Sequence, residues 1–162
     1  MKKGEEAFGY LLVTANPMLA GGSTGSAVDL VEERLSIKRW PLYEGTRYRS
    51  RIGKGARVAF YVGGRRRSGG CIVGRARVQE PVVARYRTGR TDPPQYLTDT
   101  PVVILELDEI EMLNPGISFV KRLPQLSICP DNLKNWGSLL QGGTRAFSES
   151  DWNILLETTG CG

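Results

Sequence analysis

The chain has 162 residues, 40% hydrophobic and 24% charged, with a formal net charge of +5, a size that suits one domain burying about two thirds of its unfolded surface. It has no histidine and three cysteines (Cys71, Cys129 and Cys161), which removes the commonest general base, the Ser-His and Cys-His nucleophile pairs and a four-cysteine zinc site. No apolar run approaches the ~20 residues of a membrane span, Glu5 and Glu6 fall where a signal peptide needs its apolar core, and an odd cysteine count reads as free thiols, so a cytoplasmic protein without metal, cofactor or membrane is expected.

Residues 9–14 (GYLLVT) are a short apolar run rich in β-formers, and Ala15-Asn16-Pro17 stops it, so a buried first strand ending in a turn is expected. Residues 20–26 are a Gly/Ser-rich loop. Ser26 and Asp29 then have the spacing of a capping box, and Val28, Val31 and Leu35 recur at helical intervals, which predicts a helix over 27–35. Trp40 precedes Pro41 and so belongs to extended or loop structure. Residues 58–62 (VAFYV) and 71–78 (CIVGRARV) read as two strands of a hairpin, with Arg75 and Arg77 on one face and a Gly-flanked loop carrying Arg65, Arg66 and Arg67 at the tip. Val82 to Tyr96 reads as a strand end followed by a loop. Residues 101–108 are a strong strand, Asn114-Pro115-Gly116 a turn, and residues 119–125 irregular. Pro130-Asp131-Asn132-Leu133 opens a short helix carrying Trp136. Ser148 and Asp151 form a second capping box, for a last helix whose apolar face holds Trp152, Leu155 and Leu156. Four or more strands with three short helices predict an α+β domain: a small, strongly curved mixed sheet or barrel with helices packed outside.

The charge is unevenly spread. Residues 34–90 hold sixteen Lys/Arg against two acids, Glu44 and Glu80, a formal +14, while the remainder has six bases against fifteen acids, or −9. A local excess of arginine is what a polyanion-binding surface needs, because each neutralised phosphate releases condensed counterions. Arginine also suits bidentate phosphate contacts and stacking on bases.

Several pieces, in order, resemble the EVE domain of the PUA-like superfamily, a relative of the YTH domain. They are Tyr10 to Pro17; Trp40 followed by Ile52-Gly53-Lys54-Gly55-Ala56-Arg57-Val58-Ala59-Phe60-Tyr61; Ile72-Val73-Gly74-Arg75-Ala76-Arg77-Val78; and Asn135-Trp136-Gly137 through Gln141-Gly142-Gly143-Thr144-Arg145 to Ser148-Glu149-Ser150-Asp151-Trp152. Together they cover residues 9–156, nearly the whole chain, as one PUA-like domain over 1–162. The resemblance implies a nucleic-acid reader rather than an enzyme. One flipped, modified base, such as a methylated cytosine or adenine, would enter an aromatic cage, in DNA or RNA. A nuclease or other effector module would be the partner. Other readings of the residues are an RNA-processing or hydrolytic enzyme of the related ASCH type, and a basic protein-interaction module.

Trp40 is the leading cage candidate. It lies in a polar, basic, proline-bounded segment, and it resembles by position the cage tryptophan of YTH domains. Trp136, in a loop-like context, and Tyr61, at a strand end, are further candidates for the wall. Tyr43 stands among arginines, as stacking aromatics do. The resemblance places polar contacts to the base at Thr14 and Asn16, and asparagine suits bidentate base recognition. Gln141 puts an amide beside Gly142-Gly143. Arg65, Arg66, Arg67, Arg75 and Arg77 are the candidates for phosphate contact, and Trp152 is expected in the core.

Overall fold

The computed structural model describes residues 6–63, 70–84 and 95–157. Its centre is a curled, mixed six-stranded half-barrel in the order β3-β7-β5-β4-β1-β8. The strands are β1 (Gly9–Thr14), β3 (Arg39–Leu42), β4 (Arg57–Val62), β5 (Cys71–Val83), β7 (Val103–Ser118) and β8 (Thr144–Phe147). β1 and β4 run parallel; the remaining neighbours are antiparallel. A two-stranded ribbon of β2 (Met18–Leu19) and β6 (Tyr96–Leu97) lies apart from the sheet.

The sheet is covered on both faces, which is why its central strands read as unbroken apolar runs. Successive residues of β1 and β4 point to opposite sides. Tyr10, Leu12, Val58, Phe60 and Val62 enter one core with Trp40, Leu105 and Leu107, closed by Ala27, Val31 and Leu35 of helix α1 (Ala27–Ser36). Leu11, Ala59 and Tyr61 enter a second core with Ile72 and Phe147. It is closed by Phe119 of α2 (Phe119–Arg122), Leu123 and Leu140 of two 3-10 segments (Leu123–Gln125 and Leu133–Leu140), and Trp152 and Leu155 of α3 (Glu149–Leu156). Phe60, Phe119, Leu105 and Leu155 lose all contact with solvent, each worth about 1.5–3 kcal/mol of transfer free energy.

Both expected capping boxes form at the N-terminal side. The Ser26 hydroxyl accepts from the Asp29 N–H at 3.3 Å, and the Ser148 hydroxyl from the Asp151 N–H at 3.3 Å. The Asp151 carboxylate, itself buried, accepts from the Ser127 N–H at 2.8 Å and from its hydroxyl at 2.5 Å, tying α3 to the segment after α2.

Trp40 and Pro41 are extended, as expected, and form β3, an edge of the sheet, where a residue without an N–H is tolerated. Two expectations change, and one strand, β8, was not expected. Asn114-Pro115-Gly116 is not a turn. β7 runs through it, and the ladder with β5 steps from Gly74↔Met112 to Ile72↔Ile117, so Pro115 sits in a bulge that asks nothing of its missing N–H. Residues 119–125 are helical, begun by the Ser118 side chain accepting from the Lys121 N–H at 3.4 Å. β8 is a strand of four residues, too short to show a period in the sequence. The hairpin tip with Arg65, Arg66 and Arg67, most of the loop expected after Val83, and Cys161 lie outside the described residues.

Candidate nucleic-acid interface

A cavity of about 370 Å³ opens beyond the C-terminal end of β1, between α1, β3 and the residue before β8. Four of the residues expected to bind a base border it: Thr14, Asn16, Trp40 and Tyr43. They come from two separate stretches of chain, residues 14–16 and 40–43, and the fold explains how each arrives.

Thr14 follows Tyr10 and Leu12 on the same face of β1, at the point where that face runs out. The strand end is held by the Val13 N–H donating to the Gly143 carbonyl at 3.0 Å and the Gly63 N–H donating to the Thr14 carbonyl at 3.0 Å. The Thr14 hydroxyl is buried and has no hydrogen-bond partner among the described residues, a state that costs about 1–3 kcal/mol. Asn16, in the following turn, accepts the Ala27 N–H on Oδ1 at 3.0 Å. Its acceptor oxygen is thereby engaged at the start of α1, and its amide hydrogens are the groups left to donate.

Arg34 also borders the cavity, on the inner side of α1, 4% exposed. Its Nη2 donates to the Tyr43 hydroxyl at 3.1 Å, and its guanidinium lies 4.8 Å from the centre of the Trp40 ring. Trp40 stacks at 4.4 Å on Phe60 and is only 3% exposed. It is a core residue that also borders the cavity, so it does not offer the wide open face expected of a cage wall. Thr46 joins the lining, its hydroxyl accepting from the Tyr43 N–H at 3.0 Å. Next to it, the Arg47 N–H donates to the Gly142 carbonyl at 3.2 Å. Gly142 has φ +86, and a Cβ there would stand 2.6 Å from the Arg47 side chain, so the approach of these two loops needs glycine. Gln141 is exposed and lies outside the lining, although Gly143 belongs to it.

Trp136 and Tyr61 are not brought to this cavity. Both lie across the sheet in or against the second core, with ring centres 6.1 and 5.9 Å from that of Phe119. Tyr61 is 3% exposed, and burial, with a smaller contribution from Cys71, raises its pKa above the ordinary 10.0. Arg75 and Arg77 line a second, larger groove of about 700 Å³ with Arg57, Phe8 and Trp152. Carboxylates match them there. Arg75 meets Glu111 at 2.7 Å, and Arg77 meets Glu109 at 3.4 Å. Arg57 lies over the Phe8 ring at 3.9 Å. This groove flanks the start of β4, whereas the cavity flanks the end of β1, whose parallel partner there is Val62. Size favours the groove, but chemistry favours the cavity, where a buried guanidinium, an orphaned hydroxyl and an anchored amide converge.

Arg34, Thr46 and Asp99 border the cavity without having been singled out from sequence. A signal for Arg34 existed: it follows Ala27, Leu30 and Val31 at helical spacing, a cation on an otherwise apolar face. Asp99 carries no such signal, since only tertiary structure brings residues 97–99 beside residues 14–18.

No protein-family model matches the chain, and no curated protein matches it. The similar solved structures include two that match over nearly their full length. One is the N-terminal domain of Staphylothermus marinus McrB, 8% identical, covering 93% of this chain and 94% of that chain at a TM-score of 0.56. The other is human THYN1, solved in complex with DNA containing 5-methylcytosine, 15% identical, covering 90% of this chain and 93% of that chain at a TM-score of 0.54. At these identities the likeness is one of fold.

Proposed function

Because this chain has the EVE/PUA-like domain fold, we propose that it is a reader of modified DNA, which takes a modified base, with methylcytosine the leading candidate, into the cavity beyond β1. The observation that carries this reading is the convergence of Thr14, Asn16, Arg34 and Tyr43 on one cavity next to a buried tryptophan. The complex of THYN1 with 5-methylcytosine DNA supports the choice of ligand. A cavity of about 370 Å³ falls at the small end of the ~300–1,000 Å³ usual for small-molecule sites, a size for one base rather than a longer segment. Extruding a base costs a few kcal/mol in unstacking and unpairing, and a buried methyl returns about 0.8 kcal/mol, so selectivity also needs hydrogen bonds to the base edge. Arg34 and the Asn16 amide can donate to the ring acceptors of cytosine, and the Thr14 hydroxyl would gain the partner it lacks.

The reading is of binding, not catalysis: the lining supplies donors, an aromatic border and one exposed carboxylate, Asp99, with no nucleophile hydrogen-bonded to a base. Strand cleavage would fall to a nuclease or other effector module acting with the domain.

An NMR titration with a short methylated DNA tests the location. Amide shifts should concentrate at Thr14, Asn16, Tyr43, Thr46 and Gly143. Shifts centred instead on Phe8, Arg57 and Asn153 would move the site to the larger groove and end this assignment.

A further inference from the structure

At the mouth of the cavity stand two large apolar side chains that the fold leaves in water. Met18 is 55% exposed and Leu97 is 56% exposed, and both border the cavity. They are direct partners across the β2–β6 ribbon, so they share one face of it. Ile37, Val83, Met112 and Val120 are also exposed, but none of them is paired with another or borders the cavity. The ribbon is firmly held at its backbone: the Ala20 N–H donates to the Gln95 carbonyl at 2.8 Å, and the Gly25 N–H to the Pro17 carbonyl at 2.6 Å. A fixed ribbon presenting an apolar pair beside a polar cavity marks a contact surface rather than a packing accident.

We infer that Met18 and Leu97 form a wedge that enters the base stack of duplex DNA in the gap left by the base that moves into the cavity. The inference rests on the reading of the cavity as a base site. It commits to a duplex, because a single strand has no stack across which a gap must be filled. Inserted Met and Leu side chains are a known means of separating base steps, replacing lost base stacking with apolar contact. The surroundings suit the partner. Arg47, exposed, is tied to the same rim by its bond to Gly142, within the segment of +14 formal charge.

The test compares the wild-type chain with the double variant Met18→Ser/Leu97→Ser. Affinity is read by fluorescence anisotropy on a duplex with one central 5-methylcytosine, and on the methylated and the plain single strand. A 2-aminopurine next to the methylated base reports unstacking. Both side chains are exposed, so the variant should melt with the wild type, which a thermal scan verifies. The wedge predicts about a tenfold or greater loss on the duplex, less than about twofold change on the single strand, and a smaller 2-aminopurine signal. Unchanged duplex affinity, or equal loss on duplex and single strand, overturns the wedge alone. A wild-type chain that does not prefer methylated over plain single strand overturns the reading of the cavity, and the wedge with it.

Discussion

Thr14 is where stability and binding pull in opposite directions. Its hydroxyl is buried without a partner among the described residues, so Thr14→Val removes an unsatisfied group at nearly constant volume. The variant should melt at or above the wild-type temperature, yet prefer modified DNA less, by about 2- to 10-fold for one lost hydrogen bond of ~0.5–1.5 kcal/mol. Lower stability with unchanged preference would show that the hydroxyl has no ligand to meet. Trp40 behaves differently. At 3% exposure and stacked on Phe60, it should lose about 3–5 kcal/mol of stability on Trp40→Ala, so unfolding in denaturant, not binding, is the readout for that change. Position in the sequence marked Trp40, Thr14, Asn16 and Tyr43 as candidates, and they do border one cavity. It could not distinguish them from Trp136 and Tyr61, because the alternation of β4 that sends Phe60 toward Trp40 sends Tyr61 to the opposite face.

Among the elements, strands with a strong period and helices with a capping residue were legible: β1, β4, α1 and α3 stand where pattern and caps put them. What escaped was set by partners distant in sequence. β8 exists because β1 offers it an edge, and β7 continues through Pro115 because β5 accepts a bulge. Arg75 and Arg77 show the same limit. Two arginines on β5 look like a phosphate surface until β7 places Glu111 and Glu109 against them. Arg75→Ala/Arg77→Ala should change stability by no more than about 1 kcal/mol per exposed pair, and should leave DNA affinity within about twofold. A clear loss of affinity would restore these arginines to the interface. Packing at Gly9 can be tested in the same way. A Cβ there would lie 2.5 Å from the Trp152 ring, so Gly9→Ala should destabilise by about 1–3 kcal/mol, measured by denaturant unfolding.

For the whole molecule, charge and burial set the response to salt and pH. Burial is the main cause raising the pKa of both Tyr10 and Tyr61 above 10.0, opposed at Tyr10 by Arg51. A raised phenol pKa contributes stability in full below the unfolded value and loses it as pH rises through the folded one, so the melting temperature should fall above about pH 10, less so in Tyr61→Phe. Association with DNA should weaken steeply with salt. Replacing Arg65, Arg66 and Arg67 together should flatten the slope of log K against log salt by about two to three units if the tip touches phosphate. The uneven charge that suggests a polyanion was plain in the sequence; which face would meet one was not, because the fold decides which arginines are matched by acids.

The central claim is that the cavity beyond β1 reads a modified base. Its most direct measurement is the affinity of the wild-type chain for two DNA duplexes of one sequence at one salt concentration, differing only by a single 5-methyl group on cytosine. The account predicts tighter binding to the methylated duplex, by about fourfold from burial of the methyl alone. Equal affinities for the two duplexes would contradict it.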